Sequence, residues 1–212
     1  MELYMKKINF LLILLIALTS TLFASDISFN GGYTKISMKE GLESITLENP
    51  AFVEIDNLTL SATKISLLGK NYDTIQCEGK VEIYDSEKGL TILCQSLFFD
   101  RIENTISIVG GVEIDDTTNK LHSTALQLEY DIDKGKMDMS VEVNLLHIAD
   151  DTVMKCSCDT LSYDRENNSL VLLGNSSVIW QEDEYRAEAI SVDMQSNEIS
   201  LEGSIEGTIK NN

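Results

Sequence analysis

Residues 123–143, STALQLEYDIDKGKMDMSVEV, and residues 158–178, CDTLSYDRENNSLVLLGNSSV, are two versions of one pattern. In each, apolar and polar residues alternate up to Tyr130-Asp131 or Tyr163-Asp164, a polar turn follows, and alternation resumes at Met137 or Leu170. A period of two puts the apolar residues on one face of an extended strand. Asp133-Lys134-Gly135 and Glu166-Asn167-Asn168 supply the residues that tight reversals need. Each copy is therefore an up-and-down pair of strands with one buried face.

Working outward, the pattern recurs along the chain from about residue 53. An apolar residue followed by aspartate appears at Phe99-Asp100, Tyr130-Asp131, Tyr163-Asp164 and Val192-Asp193, with aspartates 31, 33 and 29 residues apart. Three residues before each aspartate stand Leu97, Leu128, Leu161 and Ile190. Six and eight after it stand Ile106 and Ile108, Met137 and Met139, Leu170 and Leu172, then Ile199 and Leu201. Gly110, Val141, Gly174 and Gly203 follow at ten. An earlier copy runs through Leu60, Ala62, Ile65, Leu67, Ile75, Cys77, Gly79, Val81 and Ile83, and a degraded one through residues 36–55.

Two details turn paired strands into an architecture. The inward parity changes along the strand leading to each aspartate, from Ile92 and Cys94 to Leu97 and Phe99, and this needs a bulge or a corner. The glycine column interrupts the following strand midway, where a bend is least costly. Long strands bent at their middles contribute to two facing sheets at once. The expected fold is all-β: repeated bent antiparallel strand pairs forming a jellyroll, or taco-like, stack with an apolar interior. Residues 183–195 can be drawn as a helix, but their columns match the strands of the other copies.

Residues 1–24 are a separate unit. Lys6 and Lys7 precede an apolar run from Ile8 to Leu18, and Ala24 is a small residue before a cut at Ser25, as an export signal requires. Retention as a membrane anchor is the alternative, and the run is somewhat short for a full span. Residues 25–212 read as a single domain. The composition, 43% hydrophobic and 24% charged, is that of a folded chain. A net charge of −19 leaves no basic surface for nucleic-acid phosphates and argues against that partner.

No catalytic or metal constellation stands out, and no cofactor is expected. His122 and His147 lie in no nucleophile motif, and His147 with Cys156 and Cys158 lacks the second ligand pair of a zinc site. The four cysteines read as small core residues, with no disulfide holding the fold. A symmetric turn at residues 85–89 would set Cys77 against Leu97 and Cys94 against Lys80. Asp115-Asp116, Asp150-Asp151 and Glu182-Asp183-Glu184 read as solvated turn carboxylates without calcium-loop spacing. Two interiors fit the same columns: one filled by side chains, and one left open along an edge as a groove for acyl chains.

The recurring string of small residue, aliphatic, Tyr-Asp, polar turn, aliphatic pair and Gly-x-Val resembles the repeats of the OstA-like family, over about residues 53–209. That family comprises LptA, the periplasmic part of LptC and the N-terminal domain of LptD. The resemblance implies a periplasmic β-jellyroll, not an enzyme, that carries lipopolysaccharide or a related glycolipid between inner and outer membranes. It implies a groove lined by Leu97, Phe99, Ile106, Ile108, Leu128, Tyr130, Met137, Met139, Leu161, Tyr163, Leu170, Leu172, Ile199 and Leu201. It also implies end-to-end association with further jellyrolls, or with copies of itself, through terminal strand edges near Ile199 to Ile209. A membrane-tethered relay like LptC and a structural envelope scaffold without lipid are the competing readings.

Overall fold

The computed structural model describes residues 26–149 and 152–210; the export segment and the Asp150-Asp151 turn lie outside the described residues. Among these, every regular element is a strand: β1 (Ile27–Ser37), β2 (Ser44–Ile55), β3 (Leu58–Leu68), β4 (Thr74–Asp85), β5 (Leu90–Asp100), β6 (Thr105–Asp116), β7 (Leu121–Asp131), β8 (Lys136–Ala149), β9 (Thr152–Asp164), β10 (Ser169–Trp180), β11 (Asp183–Asp193), β12 (Glu198–Glu202) and β13 (Glu206–Thr208). They form one antiparallel meander in the order β1 to β12, with β13 paired to β11 beyond β12. The all-β fold of bent strand pairs is as the sequence predicts, and residues 183–193 are strand.

The two facing walls belong to one sheet folded across its strands. Most strand pairs lose register at mid-length, between Glu48 and Ala51, Glu78 and Val81, Val109 and Val112, Ser140 and Val143, and Leu173 and Ser176. The residues skipped there have left-handed backbones: Gly79-Lys80, Gly110-Gly111, Val141-Glu142 and Gly174-Asn175. On the partner strands two successive residues face away from the core, as at Gln95-Ser96 between Cys94 and Leu97. This is the predicted change of parity, and it lets both halves of a strand bury their apolar side chains on the same side of the fold. In the last repeat the break is complete, and β12 and β13 are the two halves of one strand parted at Gly203.

Two rows of turns run along the free edges of the folded sheet. In the row that joins each odd strand to the next even one, the aspartate column caps the reversals. Asp100 Oδ1 accepts from the Ile102 and Glu103 N–H groups, Asp131 from Lys134, Asp164 from Asn167, and Asp193 from Gln195 and Ser196. Successive turns then stack: the Arg101 N–H donates to the Asp73 carbonyl, Ile132 to Asn104, Arg165 to Gly135 and Met194 to Asn168. The opposite row stacks in the same way, through Ser86 to Asn57 and Thr117 to Gly89.

The core is a single apolar cluster filling the space between the walls. Its fully buried Leu, Ile, Val, Phe and Met side chains each contribute roughly 1.5–3 kcal/mol relative to exposure. All four cysteines lie within it as free thiols. Cys94 pairs with Val81 and not Lys80, because the turn sets Asp85 against Leu90; the mid-strand bulge beyond it then takes up one residue and brings Cys77 opposite Leu97.

The fold line generates a stability prediction. Val141 is a β-branched residue at φ 67, a conformation that costs L residues roughly 1–2 kcal/mol. Val141→Gly should stabilise the protein by about 1 kcal/mol after the added unfolded-state entropy. At Gly174 a Cβ would lie 2.5 Å from Asp159 Oδ2, so Gly174→Ala should destabilise by about 2 kcal/mol. Urea unfolding midpoints of the two variants should move in opposite directions.

Candidate functional site

The strand register collects the sequence-predicted residues on one wall, between the fold line and the aspartate-capped turns. One cross-strand row runs Phe99, Ile106, Tyr130, Met137, Tyr163, Leu170, Val192, Ile199. A second contains Leu128, Met139, Leu161, Leu172, Ile190 and Leu201. Ile108 extends the second row as the partner of Leu128, and Leu97, the partner of Cys77, stands beside it where the β5–β6 ladder is interrupted. The residues on β5 to β10 are buried, Tyr130 and Tyr163 almost completely, while Ile199 and Leu201 are only partly covered. The interior is therefore filled by side chains along its middle and thins at its end.

The opposite wall lies outside the sequence-predicted site, although Leu60, Ile83 and Ile92 already stand in the inward columns. It consists of a row through Leu60, Ile83, Ile92, Ile114, Ser123, Leu145, Cys156 and Val178. Beyond it lies a row along the second set of turns: Leu58, Asp85, Leu90, Asp116, Leu121, His147, Met154 and Trp180. Asp85, Asp116 and His147 are buried polar groups spaced one repeat apart in an otherwise apolar row. This corrects the reading of Asp115-Asp116 as a solvated pair: Asp115 is exposed, but Asp116 has 0% exposure.

At Asp116 the two rows of turns meet. Arg165, the residue after the aspartate of β9, donates from Nε to Asp116 Oδ2 at 2.7 Å and from Nη2 to Asp116 Oδ1 at 3.0 Å. Its Nη2 also reaches the Lys88 carbonyl at 3.0 Å, and the Tyr163 hydroxyl donates to Asp116 Oδ2 at 3.1 Å. One repeat away, Lys88 extends from the β4–β5 turn across the slot. Its Nζ donates to the Ile132 carbonyl at 2.7 Å and the Tyr130 hydroxyl at 3.3 Å. A bidentate guanidinium–carboxylate pair fixes geometry as well as charge.

Electrostatics at this seam follow from burial and pairing. Burial alone would raise the Asp116 pKa, but the bonds and charge of Arg165, with the Asn119 bonds, bring it below the usual carboxylate range. Burial pushes the Tyr130 and Tyr163 phenols upward and keeps both protonated, Tyr163 donating to Asp116 and Tyr130 accepting from Lys88. His147 is held toward neutrality by burial and by Lys120, and its Nδ1 has no hydrogen-bond partner.

The ends of the interior are less covered. On β1, Ile27, Phe29 and Ile36 stand opposite the buried Ile55, Val53 and Ile45, yet Phe29 is 40% and Ile36 49% exposed, because β1 is the outermost strand on that side among the described residues. At the other end Trp180, Tyr185, Asn197, Ile199 and Leu201 line a cavity of about 360 Å³. A larger cleft of about 570 Å³ lies along the fold line, over Cys94, Gly111 and Ala125.

These shifts set a pH dependence. Hydrogen bonds from Lys134, Asn167 and Ser196 also hold Asp131, Asp164 and Asp193 below their ordinary values. A carboxylate with a depressed folded-state pKa contributes stability that is complete above the unfolded value of about 3.9 and is lost as pH falls through the folded one. Stability should therefore decline below about pH 4. Asp116→Asn, which leaves Arg165 without its counter-charge, should lower stability at pH 7 by about 3 kcal/mol and flatten the acid limb. Urea titrations from pH 2 to pH 8 followed by circular dichroism would show both effects.

Compared with known proteins, the chain matches no protein-family model and no curated protein. Among solved structures it is similar to LptH, the LptA-homologous periplasmic component of the lipopolysaccharide transport device from Pseudomonas aeruginosa. The two are 13% identical over 88% of this chain and 96% of that chain, with a TM-score of 0.29. An identity and a score of that size do not bear on function.

Proposed function

We propose that the chain is a periplasmic carrier of an acyl-chain lipid, a lipopolysaccharide-like glycolipid, and that it links inner and outer membranes by passing that lipid along its interior. The observation that supports this most is a single apolar cluster running along the interior from β2 to β12, with apolar side chains left partly uncovered at both ends. A protein needing only a stable core gains nothing by exposing Phe29 and Ile36 at one end and a Trp180-lined cavity at the other. An alkyl chain would lie along Leu128, Tyr130, Leu161 and Tyr163, with Met137 and Met139 adapting to its path, since thioether side chains repack easily. The outer edges of β1 and of β12 and β13 pair with no other strand among the described residues and suit strand addition, to another jellyroll or to a second copy. The chain itself performs no chemistry in this reading.

A second reading, an envelope scaffold whose core is simply filled, draws support from the completeness of burial at Tyr130, Tyr163 and Phe99. Retention of residues 8–24 would make the carrier a membrane-tethered relay, and the mass of the mature chain decides that. Protein purified from its native envelope and examined by mass spectrometry should contain a stoichiometric glycolipid or phospholipid. Leu128→Asp and Leu161→Asp should lose that lipid while retaining a β-type circular dichroism spectrum. Repeated recovery of folded, lipid-free wild-type protein would replace the carrier with the scaffold.

A further inference from the structure

Contacts across the slot join residues 42 to 77 positions apart in the chain, and they are polar in an interior that is otherwise apolar. They are also local. The position after the aspartate, which is Arg165 in the β9–β10 turn, is Ile132 in the turn before and Met194 in the turn after. The position of Asp116 is taken by His147 in the next repeat. Arg101 holds the same column two turns earlier and donates to the Asn71 and Tyr72 carbonyls of its own row. Among the described residues a bidentate ion pair and, one repeat away, a lysine strap span the slot near the middle of its length.

We infer that the Asp116–Arg165–Tyr163 bridge and the Lys88 strap are a latch over the slot, and that an alkyl chain enters or leaves sideways only when the two rows of turns part there. This rests on the carrier reading. The chemistry suits a joint that opens repeatedly. Parting two apolar surfaces forfeits their burial outright, whereas a parted ion pair regains the hydration that burial removed, so its net hold on the closed state is modest. Opening also leaves the covalent and hydrogen-bonded ladder of each wall intact, because no strand pair crosses the slot. The Tyr163 ring lies directly beneath the latch and is the first apolar surface an entering chain would meet.

The test uses the mature chain carrying Asp115→Cys and Glu166→Cys, exposed positions beside Asp116 and Arg165, each bearing a nitroxide. The native thiols stay unlabelled, since burial keeps them protonated, with Cys94 pushed up to about 11 and Cys77 to about 12. Pulsed electron spin resonance should give one narrow distance in this background. Asp116→Asn, or Lys88→Met should the former not fold, should add a longer component. Ile114→Val, which loosens the core beside the latch without touching it, should not. A fluorescent long-chain fatty acid should exchange at least about tenfold faster in the latch variants than in Ile114→Val. Unchanged distances in both latch variants, or distances that widen equally in Ile114→Val, overturn the latch, as does exchange no faster than in that control. Failure of the carrier reading shows separately, as wild-type protein that takes up no fatty acid; the label distances alone then decide whether the seam opens.

Discussion

A β-strand presents alternate side chains to opposite faces and keeps that parity through a bend, so the mid-strand parity change on β3, β5, β7 and β9 would turn half of each apolar set outward if the ladder ran unbroken across the fold. The left-handed pairs at the fold line remove that conflict. Gly79-Lys80, Gly110-Gly111, Val141-Glu142 and Gly174-Asn175 add two residues to their strands and leave parity unchanged, Ile108 and Val112 both facing inward, while the outward doublets on the partner strands add one residue and shift it. Everything else follows from this shift: one sheet supplies both walls, the core is shared between them, and the two rows of turns are brought back to the same edge. The side chains at the corner are small, Cys94, Ala125, Cys158 and Ala187, because the walls converge there.

At the opposite edge the turns are built for stacking. Each aspartate holds its own reversal closed, which leaves the next N–H free to donate to the turn before it. The ladder of the sheet therefore continues into its loops, and the edges become regular rows able to meet at defined positions. The ion pair at Asp116 depends on that regularity, since its partners come from turns separated by some fifty residues.

Much of this was legible in the sequence because the signals are local and repeated. The columns at Leu97, Leu128 and Leu161 and at Ile106, Met137 and Leu170 recover the wall they form, and the parity change between Cys94 and Leu97 is visible in the alternation itself. The register of Cys94 was not, because the residues of the turn do not show whether Asp85 pairs with Leu90 or with Gly89. The seam was illegible for a different reason. Asp116 sits next to the exposed Asp115 at the end of a strand, and nothing within one repeat separates a solvated carboxylate from one paired with an arginine two strand pairs away. The opposite wall obeys the same periodicity, and its Ile92 and Cys94 read as inward, yet only the topology shows which of its rows meets which across the slot.

The pairing across the slot is oblique. Lys88 meets residues 130 and 132, and Asp116 meets residues 163 and 165, so every rung ties a repeat to a later one and none to itself. Seen as a mechanical assembly, the walls are cross-braced: sliding one lengthwise past the other strains all the ties in the same sense, whereas swinging them apart strains them one after another. A body braced in this way is stiff to lengthwise shear and compliant to hinging, and its axis holds its length while its side remains able to yield.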